Sequence, residues 1–420
     1  MNALRTALRD AELSLARRDE SLPCLAVVLD DGRLSEVMGE PVRITRVRYK
    51  PGTSALVAFR RTRDGKEEYG WALTTAGNVK LDGRAQKSAR QGGGVLLIRP
   101  ALRHTDAIIA VGGIEDDWAL CKNLRWLEDR GLERLGAVER PGPGLLSGTA
   151  KVLRYKPERR LVLLEQSPDA SIVVKTVALP APENVDRFHQ RLQQHGVPVL
   201  PMLGDADCFG HGTSASPAWG DQDLAASDDP EGARRAGESL ARLHSIPAEA
   251  DSGPAPGQEA LVERQLAVTC AMVTALVPAL EVPAANVAAR IRRRLEEVTD
   301  GGTAVVVHGD FSADQVLVSG SEVRLIDFDR ARAGAPESDL GSFAAVEEMS
   351  QWRGTSAGQQ RTADLIDGYV LAGGRFTPAA TDAWAALRLF AGSVDPFRDR
   401  TPDWAADMSR HIDRACELVP

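Results

Sequence analysis

The sequence predicts an α+β protein, with antiparallel strands concentrated in the first half of the chain and helices in the second. In the first half, short apolar-alternating segments are separated by turn residues, and an Arg-Tyr-Lys-Pro corner occurs twice, at residues 48–51 and 154–157. From Pro230 onward, apolar residues recur at helical spacing in several long segments. A third observation is a series of short strands and acidic loops at residues 305–331, within the helical half.

Length and composition set the broad class. The chain has 420 residues, and its hydrophobic content of 43% supports two or three domains with real cores. A net charge of −8 without a basic run argues against nucleic acid or an anionic membrane as partner. The five cysteines form no C-x-x-C pair, which favours buried thiols in a reducing cytosol over a zinc site. Residues 1–20 predict a charged amphipathic helix rather than a secretory signal, so we expect a cytoplasmic protein.

An internal repeat joins two parts of the first half. Residues 46–51 recur at residues 152–157, and each copy is followed by two further strand-like segments. These segments are predicted at residues 54–60 and 68–74 after the first copy, and at residues 161–165 and 171–178 after the second. The spacing does not fit a solenoid, so we interpret the copies as two small antiparallel β modules.

The segment VVVHGDFSADQVLVSGSEVRLIDFDRA, residues 305–331, groups several polar residues between predicted strands. His308 and Asp310 follow one strand, Gln315 precedes the next, and Asp327 and Asp329 follow a third. Buried strands on both sides hold such loops in place. Phosphoryl transfer needs this rigidity, because positioning and charge neutralisation supply most of its catalysis.

HGDFSADQVLV followed by LIDFDRA resembles the catalytic and metal-binding loops of the aminoglycoside phosphotransferase/choline kinase family, whose pattern is H-G-D-x-x-x-x-N and then I-D-[FW]-[DE]. These enzymes resemble protein kinases but phosphorylate small molecules. The resemblance implies Asp310 as the catalytic base toward a substrate hydroxyl. It also implies Asp327 as the ligand of the Mg²⁺ ions that bridge the ATP phosphates, and His308 as a structural hydrogen-bonding group.

One residue departs from the family pattern. The metal-binding Asn of the family falls on Gln315, which keeps the carbonyl oxygen but adds one methylene group. Because Mg²⁺ demands near-ideal octahedral geometry, the loop must shift, or Asp314 or Asp329 must help to hold the second metal. The alternative is a pseudokinase that binds a nucleotide without turnover.

In this resemblance, the second repeat copy occupies the place of the kinase N-lobe. Lys175 lies in its third strand and resembles the family's lysine that contacts the α- and β-phosphates. The matching position of the first copy is predicted to be Tyr69, so that copy lacks the lysine. The acidic partner of Lys175 is predicted to be Glu183 or Asp186.

The corner at residues 154–160 lies where kinases carry a glycine-rich loop over the phosphates, but it contains no glycine. Lys156, Arg159 and Arg160 are therefore candidates to supply positive charge to the phosphates. A solvated hairpin without a ligand is the alternative interpretation.

Two helical segments also match the family, at residues 240–247 and 336–341. The helix after Pro336 is predicted to be capped by Ser338 or Asp339, and the family counterpart of Asp339 braces the catalytic loop. Elsewhere, residues 116–130 predict a helix and residues 197–203 a strand.

Together these observations predict a protein-kinase-like bilobal fold. A small antiparallel β N-lobe is expected at residues 146–220, and a mostly helical C-lobe with the catalytic and metal loops at residues 221–420. Residues 1–145 are predicted to form a small α+β N-terminal cap domain, and the repeat raises the hypothesis that this cap duplicates part of the N-lobe.

The resemblance implies an enzyme that uses ATP and Mg²⁺ to phosphorylate a hydroxyl of a small polar molecule, such as an aminoglycoside, an amino sugar or a related natural product. Two alternatives stay open: a kinase of peptide Ser or Thr hydroxyls in a natural-product pathway, and a nucleotide-binding pseudokinase scaffold. A homodimer and the use of GTP are also left open.

Overall fold

The structure is a computed structural model that describes residues 2–90, 92–102, 106–135, 150–166, 171–179, 185–248, 258–298, 304–355 and 358–420. The chain divides into two compact units. The first comprises Met1–Glu183, Met202–Ala218 and Asp395–Ala405, and the second comprises Asn184–Pro201, Trp219–Val394 and Ala406–Pro420. The division into a cap and two lobes stays a prediction, since the first unit contains the segments expected for both the cap and the N-lobe.

The helices alternate with strands in the first unit and dominate the second. In chain order they are α1 (Asn2–Arg18), α2 (Leu25–Val28), α3 (Asp31–Met38), α4 (Val79–Arg90), α5 (Cys121–Trp126), α6 (Leu132–Arg134), α7 (Val185–Gln194), α8 (Ala206–Gly210), α9 (Pro230–His244), α10 (Gln258–Leu276), α11 (Glu281–Val298), α12 (Glu337–Trp352), α13 (Gln359–Leu371), α14 (Pro378–Gly392), α15 (Asp395–Arg398) and α16 (Trp404–Leu418). A π-helical turn, Leu127–Gly131, joins α5 to α6.

The strands pair antiparallel throughout the named sheets, which together with the helices confirms the predicted α+β class. They are β1 (Arg43–Lys50), β2 (Ser54–Arg63), β3 (Lys66–Thr75), β4 (Leu96–Ile98), β5 (Ile109–Gly113), β6 (Lys151–Lys156), β7 (Arg160–Glu165), β8 (Ile172–Val177), β9 (Thr213–Pro217), β10 (Gln222–Asp223), β11 (Val305–Val307), β12 (Val316–Ser319), β13 (Glu322–Leu325) and β14 (Arg332–Gly334). The sheet orders are β1-β2-β3-β5-β4, β6-β7-β8-β9, β10-β12-β13 and β11-β14.

The two predicted β modules are confirmed as the first three strands of two separate sheets in the first unit, β1–β3 and β6–β8. The two sheets share one hydrophobic core. Trp71 and Ile108 from the first sheet region and Leu161 and Val174 from the second belong to the same buried cluster, together with Leu124 of α5. Burial of these apolar side chains therefore stabilises both modules at once.

In the second unit, the core surrounds the short strands of the acidic loops. Phe311, Val316 and Leu325 lie in one buried cluster with Phe343 of α12 and Tyr369 of α13. The loops that follow β11 and β13 are thus anchored on both sides by fully or nearly fully buried side chains. This anchoring is what the alternation of apolar runs and polar residues at 305–331 predicted.

Glycines allow α9 and α13 to approach each other closely. A β-carbon on Gly237 would overlap the backbone carbonyl of Leu365, and one on Gly368 would overlap the carbonyl of Arg234. Neither position has room for a side chain, so the packing of these two helices depends on glycine at the contact.

One secondary-structure prediction is wrong, and a second is right only in part. Residues 197–203 form no strand and make isolated bridges, Val199 with Leu325 and Leu203 with Ala215. Two prolines, Pro198 and Pro201, interrupt the segment and lack the N–H group that a ladder needs. The helix predicted at residues 116–130 begins only at Cys121.

No helix among the described residues is both long enough and apolar enough to cross a membrane.

Candidate active site

The loop after β11 is held by one buried carboxylate from α12. Asp339 is fully buried and accepts hydrogen bonds from the backbone N–H groups of His308 at 2.6 Å and Gly309 at 2.8 Å. Nε2 of His244 lies 3.1 Å from the same carboxylate, and Nδ1 of His244 lies 3.0 Å from the hydroxyl of Tyr369. The family expectation that Asp339 braces this loop is confirmed by these contacts.

The ionisation of Asp339 is favoured despite its burial. Burial by itself opposes the charge, but the hydrogen bond and charge of His244, with the amide and charge of His308, hold the pKa of this carboxyl below its usual range. An ionised carboxylate accepts the two loop amides more strongly than a neutral one. Ser338 or Asp339 was predicted to cap this helix, but the N-cap is Pro336 and makes no side-chain bond. That prediction is wrong because the carboxylate is used by another loop.

Two hydrogen bonds tie the loop at 308–315 to the loop at 326–329. Nε2 of His308 donates to the carbonyl of Ile326 at 2.8 Å, and the N–H of Ile326 donates to the carbonyl of Gln315 at 3.0 Å. The imidazole of His308 also lies between the rings of Phe311 and Phe328, with centroid distances of 5.6 and 4.8 Å. His308 therefore positions the two loops relative to each other, as predicted for a structural histidine.

Asp327 adopts a backbone conformation that is rare for residues other than glycine. Its φ of 65° and ψ of 54° lie in the left-handed region. Asp tolerates this region better than most residues, but the conformation still costs on the order of 1 kcal/mol. The buried strand β13 and the hydrogen bonds at Ile326 hold the residue there. Strain of this kind is typical of functional loops.

Asp310 lies between two guanidinium groups. Its Oδ2 is 3.2 Å from Arg330, and its Oδ1 is 3.7 Å from Arg388 of α14. The side chain of Asp310 is 34% exposed, so a ligand in solvent can approach it. The two arginines orient the carboxylate and make its immediate surroundings positive.

Neither arginine was singled out in the sequence. Arg330 directly follows the acidic loop, so its position in the motif was available as a signal. Arg388 is the one charged residue in the apolar run Ala385–Ala391 of α14, and its Nε is buried without a hydrogen-bond partner among the described residues. A lone charge in an apolar helical run was the available signal, but only the fold shows that it reaches Asp310.

Gly309 has no room for a side chain. Its φ of 81° is left-handed, and a β-carbon would overlap the guanidinium of Arg332 and the carbonyl of Arg330. Arg332 in turn donates toward the carbonyls of Gly309, at 3.4 Å, and Arg330, at 3.2 Å. The glycine of the H-G-D motif is therefore required by close packing between the two loops.

The predicted metal ligands Asp327, Gln315 and Asp329 all lie in the second unit, on the two tethered loops. Their carboxylate and amide oxygens are the donors that Mg²⁺ prefers. The Gln315 side chain is mostly buried and its carboxamide forms no hydrogen bond within the described residues. Those residues contain no cluster of three His, Cys, Asp or Glu side chains that would hold a metal alone. This donor set fits a cation that phosphate oxygens help to bind.

Lys175 lies on β8, in the middle of the four-stranded sheet of the first unit, and pairs with Val162 of β7. The tyrosine of the repeat aligns the strands of the two modules with each other. Tyr155 pairs with Leu161 in one module, and Tyr49 pairs with Ala55 in the other. The counterpart of Val162 is then Leu56, which pairs with Leu73. The prediction that Tyr69 matches Lys175 is wrong, because the β2–β3 hairpin is longer than its counterpart, and Leu73 occupies the position.

The corner at 154–160 concentrates positive charge. Burial and then the neighbouring guanidinium groups lower the pKa of Lys156 to about 7. Those groups are Arg154, Arg46, Arg160 and Arg159, in order of their effect. A lysine whose proton is destabilised by surrounding cations is typical of a place that accepts an anion. The roles of Arg159 and Arg160 toward phosphate stay predictions.

The structure describes only one of the two acidic residues that were predicted to pair with Lys175. Glu183 lies outside the described residues. Asp186 lies in the first turn of α7, in the second unit. The pairing of either residue with Lys175 therefore stays a prediction.

A loop braced by Asp339 thus bears Asp310, and a second loop tethered to it bears Asp327. The model described as "APH: Phosphotransferase enzyme family" matches residues 157–411, and the chain belongs to this family. This confirms the family predicted from the two loops and, with it, the kinase-like fold class. No protein with a curated description matches the sequence.

Several solved structures are similar to this chain. The spectinomycin phosphotransferase APH(9)-Ia in complex with ADP and spectinomycin is 12% identical, with a TM-score of 0.49 over 70% of this chain and 98% of that one. The choline kinase LicA from Streptococcus pneumoniae is 12% identical, with a TM-score of 0.48 over 69% and 99%. The amicoumacin kinase hAmiN with AMP-PNP, Ca²⁺ and its ligand is 12% identical, with a TM-score of 0.47 over 71% and 96%.

Proposed function

We propose that this chain transfers the γ-phosphate of ATP to a hydroxyl group of a small polar molecule. One observation carries the proposal. Asp339, His308 and the backbone of Gln315 and Ile326 join the two loops into a single hydrogen-bonded unit that holds Asp310 and Asp327 on rigid supports. Phosphoryl transfer depends mainly on such positioning.

In the proposed reaction, Asp310 accepts the proton of the acceptor hydroxyl. The acceptor oxygen forms a bond to the γ-phosphorus, the bond between that phosphorus and the β–γ bridging oxygen breaks, and ADP leaves with the electron pair. Asp327 and Gln315 would hold Mg²⁺, with Asp329 as a further oxygen donor. A bound Mg²⁺ supplies neutralisation of the charge on the phosphate oxygens. Lys175 is proposed as the anchor of the α- and β-phosphates.

The charges beside Asp310 favour some of the predicted acceptor molecules over others. Arg330 and Arg388 both lie within 4 Å of its carboxylate. An acceptor with several ammonium groups would meet two guanidinium groups next to the reacting hydroxyl. The repulsion is stronger from Arg388, which is 29% exposed, than from Arg330, which is 64% exposed and better screened by solvent. We therefore propose a neutral or acidic hydroxyl compound, such as a sugar, ahead of a polycationic aminoglycoside.

Acceptor-dependent ADP release by the purified chain, with ATP and Mg²⁺, tests this proposal. The acceptor panel contains neutral sugars, sugar acids, amino sugars and aminoglycosides, and Asp310→Asn serves as the inactive variant. Asp382→Asn makes the same change at an exposed position of α14 and serves as the matched control. ADP release that requires an acceptor and is lost only in Asp310→Asn supports a small-molecule kinase.

Two other outcomes point to the alternatives. Tight ATP binding without turnover on any acceptor in the panel favours the pseudokinase hypothesis. Turnover that appears only with Ser- or Thr-containing peptides favours the peptide kinase hypothesis. Equal turnover in Asp310→Asn and the unchanged protein would show that the wrong site has been assigned.

A further inference from the structure

The first unit contains a cavity of about 790 Å³ whose lining includes none of the residues to which we assign a role in phosphotransfer. Its lining comes from α4, from the segment around α5, from the β6–β7 turn and from His211 after α8, all within one compact unit. Asp310 and Asp327 belong to the other unit. The volume is typical of sites for small ligands.

Basic side chains outnumber acidic ones around this cavity. The basic ones are Arg84, Lys87, Lys122, Arg125 and Arg130, and the acidic ones are Asp116, Asp129 and Glu158. The excess of positive charge contrasts with the whole chain, whose net charge is −8. A concave surface with this excess attracts anions from solution.

Two of the three acidic groups already have donors. Asp116 accepts hydrogen bonds from the N–H of Gly94 at 2.8 Å and from the hydroxyl of Ser88 at 3.2 Å. Glu158 accepts a hydrogen bond from Arg48 at 3.1 Å and lies 3.5 Å from Arg84. Arginine cations therefore offset the charge of Glu158 before any ligand binds, and neutral donors hold the Asp116 carboxylate in place.

Three of the basic groups have no such compensation. Lys87, Lys122 and Arg130 are exposed and form no ion pair with any described residue. They come from two separate helical segments, α4 and the α5 region, and converge on one cavity. Three uncompensated cations on one concave surface favour a ligand that carries more than one negative charge.

The aromatic side chains of the cavity are held in place by their own contacts. The guanidinium of Arg84 lies 4.6 Å from the ring centroid of Trp118. The ring of Trp126 stacks on His211, with centroids 4.4 Å apart and planes inclined by 12°. These contacts give the cavity preformed walls, which lowers the entropic cost of binding a small ligand.

We propose that this cavity is a second ligand site, which binds a small molecule bearing two or more phosphate or carboxylate groups. Glu158 of the β6–β7 turn lines the cavity, and its backbone N–H donates to the buried Asp117 at 2.7 Å, which fixes this part of the wall. The binding itself does not depend on the proposed catalytic activity.

Isothermal titration calorimetry with the full chain tests the site, with sodium tripolyphosphate and citrate as probes and with protein and buffers freed of metals on a chelating resin beforehand. Lys122→Glu/Arg130→Glu reverses two cavity charges. Lys66→Glu/Lys80→Glu makes the same charge change at two exposed positions outside the cavity lining. Arg159→Ala/Arg160→Ala reports binding of the probes at the predicted nucleotide phosphate corner instead.

The proposal expects saturable binding of at least one probe, weakened tenfold or more by Lys122→Glu/Arg130→Glu and less than twofold by the other two double variants. If only tripolyphosphate binds, the cavity prefers phosphate ligands. If both probes bind, it accepts multivalent anions in general. Absence of binding, equal weakening in both charge-reversed variants, or loss only in Arg159→Ala/Arg160→Ala would overturn the proposal.

Discussion

Tyr155 donates its phenolic hydrogen to Asp117 across 2.8 Å, and the same carboxylate accepts the N–H of Glu158 at 2.7 Å. The first β module repeats this arrangement, because Tyr49 donates to Asp19 at 2.7 Å and Asp19 accepts the N–H of Gly52 at 2.8 Å. The residue after the proline has a left-handed backbone in both copies, with φ of 56° at Glu158 and 64° at Gly52. The sequence repeat is thus a repeat of a specific three-part contact, which supports duplication of a β module within the first unit.

Removing the tyrosine hydroxyl from either copy should destabilise the first unit. Tyr155→Phe leaves the buried Asp117 carboxylate with one donor fewer, and burial already raises the pKa of that carboxyl. We expect a loss of about 1–3 kcal/mol in the free energy of unfolding, with a similar loss for Tyr49→Phe. Urea denaturation of each variant measures the loss. Unchanged stability in both variants would mean that the contact contributes little.

Gly309→Ala should abolish turnover, whereas Gly320→Ala should leave it nearly unchanged. Both glycines have positive φ, 81° and 52°, so both substitutions carry a backbone cost of about 1 kcal/mol. Only at Gly309 would the new methyl group overlap other atoms, those of Arg330 and Arg332, and displace the loop that bears Asp310. Steady-state kinetics together with thermal denaturation separates this effect from strain alone. Comparable activity in the two variants would contradict the packing argument.

Lys156 should make nucleotide affinity depend on pH. Burial and the nearby guanidinium groups lower its pKa to about 7, so its charge is largely present at pH 6 and largely lost at pH 8. If the corner binds phosphate, nucleotide affinity falls as pH rises across this range. Lys156→Arg keeps the charge, and its affinity should depend on pH only through the nucleotide itself. Fluorescence titration with a labelled nucleotide checks this, and an identical pH profile in Lys156→Arg would contradict the role.

The same pKa shift has a consequence for stability. The folded state disfavours the charged form of Lys156, and this lowers the free energy of unfolding. The loss of stability is complete below pH 7 and disappears as pH rises toward the ordinary lysine pKa of 10.5. Lys156→Met should therefore stabilise the fold more at pH 6 than at pH 9. Chemical denaturation at the two pH values measures the difference, and a larger gain at pH 9 would contradict the assigned sign.

Arg388→Gln should change the acceptor preference. Arg388 places a positive charge 3.7 Å from Asp310, so its removal should lower the relative rate with acidic acceptors and raise it with amino-bearing ones. Arg353→Gln makes the same change at an exposed position of the second unit and is the matched control. The measurement is kcat/KM for a sugar acid and an amino sugar in each variant. Parallel losses for both acceptors would instead assign Arg388 a role in positioning Asp310.

Local patterns predicted much of this molecule. The strands around residues 305–331, the helices from α9 to α14 and the helix α16 were predictable because apolar periodicity and turn residues act over a few residues. The brace by Asp339 was predictable through the family motif. What failed depended on distant parts of the chain. Asp339 uses its carboxylate on another loop rather than as a cap, and Arg388 reaches Asp310 from a helix 78 positions further along the chain.

The strand register of the repeat is a second feature that could not be predicted from the sequence. The sequence located both modules but matched Lys175 to Tyr69, since counting from the corner assumes hairpins of equal length. The β2–β3 hairpin extends to Arg63 and Lys66 before it turns, which moves the equivalent position to Leu73. Hairpin length is set by pairing between strands, which neither strand reveals alone.

The central claim is that Asp310 acts in the chemical step while Asp327 acts through the metal. Asp310→Asn and Asp327→Asn, each assayed for Mg²⁺-dependent ATP binding and for acceptor phosphorylation, test it most directly. We expect Asp310→Asn to bind Mg–ATP within about twofold of the unchanged protein but to lose about 10²–10⁴-fold in kcat, the usual contribution of a general base. Asp327→Asn should lose the Mg²⁺ dependence of binding as well. Full turnover in Asp310→Asn would contradict the account.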